Sequence, residues 1–161
     1  MAEPPFDLPT AHRWFGVELN NTTWDALSAG EVTRETCDAH IHAAHASCHH
    51  WIQVGTVANR ARGELTVANV YAAAGMGEEA LRHARLCLDL AEANREEVAD
   101  FDFAFAYDVL ARACAAAGRH DQARDARKQA RAAGAAIADQ GDRAFFFEWF
   151  EGGNWHGLTA D

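Results

Sequence analysis

The sequence predicts an all-α fold: a stack of antiparallel helix hairpins closed by an aromatic C-terminal helix. The chain's three prolines, Pro4, Pro5 and Pro9, all lie near the N-terminus, so the remainder can run as helix and short turn. Alanine is abundant and runs of β-branched residues are few, which favours helix over strand. Glycines mark the breaks between apolar-periodic stretches, at Gly30, Gly55, Gly75, Gly77 and Gly118.

Taken in order, the elements begin with an irregular arm over residues 1–20, because the prolines fall within it. A short helix is predicted near 22–29 and another short helix, aromatic, near 141–151. Between them, long helices are predicted at 32–53, 56–74, 77–93, 101–117 and 119–138. A chain of 161 residues can bury one core, so residues 1–161 are expected to form one domain.

Charge and composition exclude several classes of function. The formal net charge of -10 opposes nucleic-acid binding, which needs a basic surface. Four cysteines occur without a CxxC pair, so they are expected to be reduced core residues. The N-terminus lacks the features of a signal peptide, and no apolar run approaches the ~18 residues of a membrane span. A cytoplasmic protein without membrane contact is therefore predicted.

Two segments of the chain are similar to each other. ELTVANVYAAAGMGEEALRHARLCL, residues 64–88, aligns without gaps with YDVLARACAAAGRHDQARDARKQAR, residues 107–131. The alignment pairs small residues and the turn glycines Gly75 and Gly118. With Tyr71 before the glycine and Ala80 after it, the first segment resembles a tetratricopeptide repeat. That resemblance, over about residues 64–133, implies stacked helix hairpins with a concave groove.

A second resemblance covers residues 49–143. The segments HHWIQVGTVANRARGEL, ALRHARLCL, DFDFAFAYDVLARA and GDR are similar to those of a group of functionally uncharacterised bacterial helical proteins. This resemblance implies the helical fold. It implies no activity, substrate or catalytic residue.

The segment CDAHIHAAHASCHHW, residues 37–51, concentrates histidines on one predicted helix. At about 100° per residue, Cys37 and Cys48 fall on an apolar stripe that points into the core. A neighbouring sector carries four polar side chains one above another: Asp38, His42, His45 and His49. These four are the candidate ligands for zinc or another divalent transition metal.

The spacing of these side chains permits a metal site without completing one. His45 and His49 can reach one zinc ion, and Asp38 can ligate it or orient His42. A further ligand must come from another helix, and Ala46 stands where an HExxH motif requires glutamate. A partly exposed polar ridge is the favoured interpretation, with metal binding or catalysis as the alternatives.

The helix predicted at 56–74 is mostly apolar or small but carries a polar stripe. Such a stripe on a buried helix requires a ligand, a partner or internal hydrogen bonds. In the repeat alignment, Arg62 and Asn69 correspond to Phe105 and Arg112, where the tetratricopeptide resemblance implies a groove. The predicted groove residues are Asn59, Arg62, Asn69, Phe105, Asp108 and Arg112.

Two interpretations of this groove are open. Arginine forks at Arg62 and Arg112 suit a carboxylate ligand. Alternatively, Asp108 and Arg112 form an i,i+4 pair, and Arg62 meets Glu64 or a later acid.

The tail GDRAFFFEWFEGGNWHGL, residues 141–158, is too aromatic to face water on all sides. It is expected to cap the last repeat, fill the groove or meet another chain. Trp14 and Phe15 raise the same alternatives, and the protein is expected to be a monomer or a homodimer.

The predicted function is a non-catalytic binding module, either an adaptor or a ligand sensor, without a cofactor. Its expected partner is a protein, a peptide or a small carboxylate-bearing ligand. No catalytic residue is predicted, because the nucleophile, P-loop and dinucleotide-binding motifs are missing from the sequence. The alternative is a metal-binding protein or metal-dependent enzyme centred on the histidine helix.

Overall fold

A computed structural model describes residue 4 and residues 6–158; the rest of the predicted arm and tail lies outside the described residues. The described chain folds into helices, without strands, so the predicted all-α class is confirmed. None of the helices in these ranges combines the length and apolarity of a membrane span. The seven helices are α1 (Leu8–Ser28), α2 (Cys37–Val54), α3 (Val57–Ala73), α4 (Gly77–Ala93), α5 (Asp100–Ala116), α6 (His120–Ala135) and α7 (Gln140–Glu151).

The largest departure from the predicted elements is the long helix α1 at the N-terminus. Asp7 caps this helix by accepting a hydrogen bond from the Thr10 backbone N–H at 2.9 Å. Pro9 lies in the first turn, where its missing N–H removes no intrahelical hydrogen bond. The irregular arm predicted over residues 1–20 is therefore wrong from Leu8 onward.

Three hairpin turns share one backbone conformation. Gly30, Gly75 and Gly118 follow α1, α3 and α5, and their φ angles are 70°, 71° and 71°. This left-handed conformation is strained for side-chain-bearing residues, which explains why glycine ends each of these helices. The turns at the two aligned glycines are thus alike in structure as well as in sequence.

The helices pack in a regular order. Each helix from α1 to α6 contacts the next along the chain, and α1 contacts α3, α3 contacts α5, and α5 contacts α7. The odd-numbered helices therefore lie side by side, and this row carries most of the candidate site.

The core combines many small residues with a few large rings. The face of α6 that is buried consists of Ala123, Ala126, Ala130 and Gly134. Against it and against α5 pack Phe146 and Phe150 of α7, which are both 0% exposed. The four cysteines are buried free thiols, as the sequence predicts: Cys37, Cys48, Cys87 and Cys114.

Candidate functional site

A groove runs along α3, between α1 on one side and α7 with the segment after it on the other. Three cavities lie along it. The proximal cavity, about 300 Å³, includes Arg62 and Phe105 in its lining. The central cavity, about 330 Å³, includes Asn69 and Arg112. The distal cavity, about 460 Å³, includes Arg34 and His156.

The two walls of the groove touch through a pair of indole rings. The ring centroids of Trp24 and Trp149 are 4.7 Å apart, in an edge-to-face arrangement. Trp24 Nε1 donates to Thr66 Oγ1 at 3.0 Å, and Trp149 Nε1 donates to Asp108 Oδ2 at 2.8 Å. Trp24 lines the proximal cavity and Trp149 the central one, so this fixed contact lies between the two cavities.

Arg62 in the proximal cavity is already paired. Its Nε donates to Asp102 Oδ1 at 2.7 Å, and its Nη2 donates to Asp102 Oδ2 at 2.9 Å. These hydrogen bonds raise the pKa of Arg62. Asp102 also accepts from the Ala99 backbone N–H at 2.9 Å, and the guanidinium lies 4.9 Å from the Phe101 ring centroid. Arg62 therefore joins α3 to the start of α5. This pairing is the alternative interpretation from the sequence, in which Arg62 meets an acidic residue later in the chain.

Arg112 is more deeply buried, at 5% exposure, and Asp108 is fully buried. Arg112 Nε donates to Asp108 Oδ2 at 2.9 Å, which is the predicted i,i+4 pair. Its Nη2 donates to the backbone carbonyls of Trp149, Phe150 and Gly152, at 3.0, 3.4 and 3.2 Å. Burial raises the pKa of Asp108, although Arg112 acts to lower it. Arg112 thus holds the C-terminal end of α7 against α5.

Asn69 is a polar groove residue whose hydrogen bonding is incomplete. It is 3% exposed and lines the central cavity. Among the described residues nothing accepts a hydrogen bond from its buried Nδ2. An unsatisfied buried amide costs about 1–3 kcal/mol, and such groups in proteins usually have a polar partner. The amide nitrogen is therefore an unsatisfied donor, buried within a residue that lines the central cavity.

Four of the six predicted groove residues line the groove. Arg62 and Phe105 lie at the proximal cavity, and Asn69 and Arg112 lie at the central cavity. The other two line none of the three cavities. Asn59 forms a capping box with Thr56 at the start of α3, and Asp108 is fully buried beneath Arg112.

The four predicted metal ligands do not converge. Asp38 and His42 are exposed, and His45 Nε2 lies 3.1 Å from the Tyr71 hydroxyl. His49 packs near His12 of α1, with ring centroids 6.4 Å apart. Within the described ranges, no three side chains of the His, Cys, Asp or Glu types are placed to hold a metal ion.

A different polar cluster, which the sequence did not indicate, joins α2, α3 and α4. Glu64 Oε2 accepts from His83 Nδ1 at 2.7 Å, so Glu64 pairs with His83 rather than with Arg62. The His83 ring stacks on Tyr71 and lies 5.2 Å from the His45 ring centroid. Burial and the neighbouring His83 lower the pKa of His45. These side chains line none of the three cavities, so the cluster serves internal hydrogen bonding.

Comparison with known proteins adds no relative. No family model, curated protein or solved structure matches the chain. The function has to be inferred from the groove itself, where Asn69, with its unsatisfied donor, and the buried Arg112 line the same cavity.

Proposed function

We propose that the protein is a non-catalytic binding module of tetratricopeptide type, which takes its ligand into the groove beside α3. The similar turns at Gly75 and Gly118 and the side-by-side odd helices support a repeat stack. In such a stack the row of first helices would line the concave side, and residues of α1 and α3 line all three cavities. The net charge of -10 fits a cytoplasmic protein that does not bind nucleic acid.

The ligand that fits the central cavity is a small molecule with a carboxylate. The observation that carries this proposal is the buried Asn69 amide, whose Nδ2 lacks an acceptor among the described residues. The Arg112 guanidinium lines the same cavity and supplies positive charge. A carboxylate oxygen can accept from both groups, while apolar neighbours such as Leu27 and Phe145 contact the rest of the ligand.

A small ligand suits this groove better than an extended peptide. A peptide lying along α3 would have to pass the contact between Trp24 and Trp149, which joins the two walls. Both indoles are held by hydrogen bonds to Thr66 and Asp108, so opening the groove would break those bonds. An adaptor function with a protein partner is therefore less well supported than ligand sensing.

Neither the metal-dependent alternative nor a dimer gains support from a specific contact. His45 and His49 contact different neighbours, Tyr71 and His12, while Asp38 and His42 are exposed. The aromatic helix α7 buries Phe146 within its own chain, which favours a monomer.

Isothermal titration calorimetry with linear monocarboxylates, from acetate to octanoate, tests the proposed function. We expect at least one of these monocarboxylates to bind. Asn69→Leu, which removes the amide at similar side-chain volume, should weaken that binding about tenfold. Asn94→Leu is the matched control, because Asn94 bonds to the Leu90 carbonyl and lines none of the three cavities. Equal affinities of the two variants would show that the ligand does not use the central cavity.

A further inference from the structure

The central and distal cavities adjoin, since they share four lining residues. Both are lined by Leu27 of α1, Ala73 of α3, and Gly153 and Asn154 of the segment after α7. Leu27 and Ala73 make this shared stretch apolar on one side. A ligand anchored at Asn69 can therefore extend along α3 toward the distal cavity.

Two guanidinium groups lie in or near the central cavity. The guanidinium carbons of Arg112 and Arg127 lie 4.2 Å and 4.3 Å from the centroid of the Trp155 ring, which both contact. The one buried carboxylate among these groups is that of Asp108. Glu148 also lines the cavity, so its carboxylate offsets part of this positive charge, although water and salt screen it because Glu148 is solvent-exposed.

One nitrogen of Arg112 remains free for a ligand. None of the described residues accepts from Nη1, whereas Nε and Nη2 are bound. A Cβ atom at Gly153 would lie 2.7 Å from Nη1, so the guanidinium lies directly against the glycine backbone. Gly153 also has a φ of 77°, which other residues rarely adopt. Glycine here leaves room for the guanidinium, since a side chain at this position would collide with Nη1.

The distal end offers a second cation. Arg34 lines the distal cavity together with Thr33 and His156. None of the ion pairs within the described part of the chain involves Arg34. Each of the two cavities therefore has a guanidinium and a further polar side chain in its lining, and the apolar Leu27 and Ala73 line both.

We propose that the ligand is a linear dicarboxylate that spans both cavities. One carboxylate accepts from Asn69 Nδ2 and Arg112 Nη1, the aliphatic spacer lies along Leu27 and Ala73, and the second carboxylate pairs with Arg34. This inference rests on the proposed binding function and adds the identity of the second recognised group. It makes affinity depend on spacer length, since only a dicarboxylate of matching length reaches both arginines.

The inference is tested by calorimetric titration with linear dicarboxylates of increasing length, from succinate to suberate. Their affinities are compared with those of monocarboxylates of equal chain length. We expect one dicarboxylate length to bind best and Arg34→Gln to weaken it about tenfold, as for one charge-assisted hydrogen bond. Monocarboxylate binding should be unchanged in Arg34→Gln. Arg60→Gln is the matched control, because Arg60 is an exposed arginine outside all three cavities. Circular dichroism of both variants verifies that they fold.

The possible outcomes separate this inference from the proposed function. If monocarboxylates and dicarboxylates bind equally, and Arg34→Gln changes neither, the dicarboxylate inference is wrong while the proposed function stands. If Arg34→Gln and Arg60→Gln weaken the dicarboxylate equally, the effect is general electrostatics and the inference is again wrong. If no member of either series binds, both the inference and the proposed carboxylate site are refuted.

Discussion

Replacing Arg112 with methionine should destabilise the protein strongly, because Arg112 is a structural tie as well as a cavity residue. Arg112→Met keeps much of the apolar volume but removes the partner of Asp108, which is 0% exposed. Removing one partner of a buried ion pair typically costs about 3–5 kcal/mol. The same change also removes hydrogen bonds to three carbonyls at the end of α7. We therefore expect a loss of about 3–5 kcal/mol in the free energy of unfolding.

Urea unfolding followed by far-UV circular dichroism measures this loss. Arg131→Met is the matched control, because the Arg131–Glu151 pair is about half exposed on both sides and also touches α7. Such exposed pairs contribute about 0–1 kcal/mol. In Asp108→Asn combined with Arg112→Met, no buried charge remains and Trp149 Nε1 keeps an acceptor. This double variant should regain about 2 kcal/mol relative to Arg112→Met.

Two results would refute the reasoning about Arg112. One is an Arg112→Met variant as stable as Arg131→Met, which would mean that the buried pair and the α7 carbonyls contribute little. The other is a double variant no more stable than Arg112→Met, since the cost would then not come from an unpaired Asp108.

Three further predictions concern burial and protonation. Phe146→Ala should lower the free energy of unfolding, measured in urea, by about 3–5 kcal/mol. Phe145→Ala should lower it far less, because the Phe145 side chain is 59% exposed. Equal losses in the two variants would contradict the docking of α7. Burial lowers the pKa of His45 and of His156, so the unfolded chain binds more protons than the folded one at mildly acidic pH. Stability should therefore fall as the pH drops below about 6.5. A melting temperature that stays constant from pH 7 to pH 5 would contradict this. Burial raises the pKa of Cys48 to about 12, so its thiol should react with Ellman's reagent only after unfolding, and rapid labelling of the folded protein would show that this site opens.

The helical class and four of the residues that line the groove could be predicted from the sequence. The repeat alignment selected Arg62, Asn69, Phe105 and Arg112, all of which line groove cavities. It succeeded because equivalent positions on neighbouring helices of a stack face the same side. It did not provide the partners of these residues, because those lie on distant segments. The carbonyls that hold Arg112 belong to the end of α7 and to Gly152 directly after it, about forty residues further along.

Two errors had local physical causes. The prolines suggested an irregular N-terminus, yet Pro9 lies in the one turn of a helix that tolerates proline. The histidine pattern on α2 described one helix alone, whereas the contacts of His45 are decided by Tyr71 and His83 on α3 and α4. Spacing within one helix shows which side chains share a face, and only the packing shows what they meet.

The most direct test of ligand binding in the central cavity is the nuclear magnetic resonance signal of the Asn69 side-chain amide. In ¹⁵N-labelled protein, its cross-peaks are assigned by their disappearance in Asn69→Leu and followed during titration with butyrate and glutarate. The proposed site predicts that the Asn69 amide signals shift saturably, while those of Asn59, which caps α3 outside the cavities, do not move. Unchanged Asn69 signals, or equal shifts at both asparagines, would contradict it.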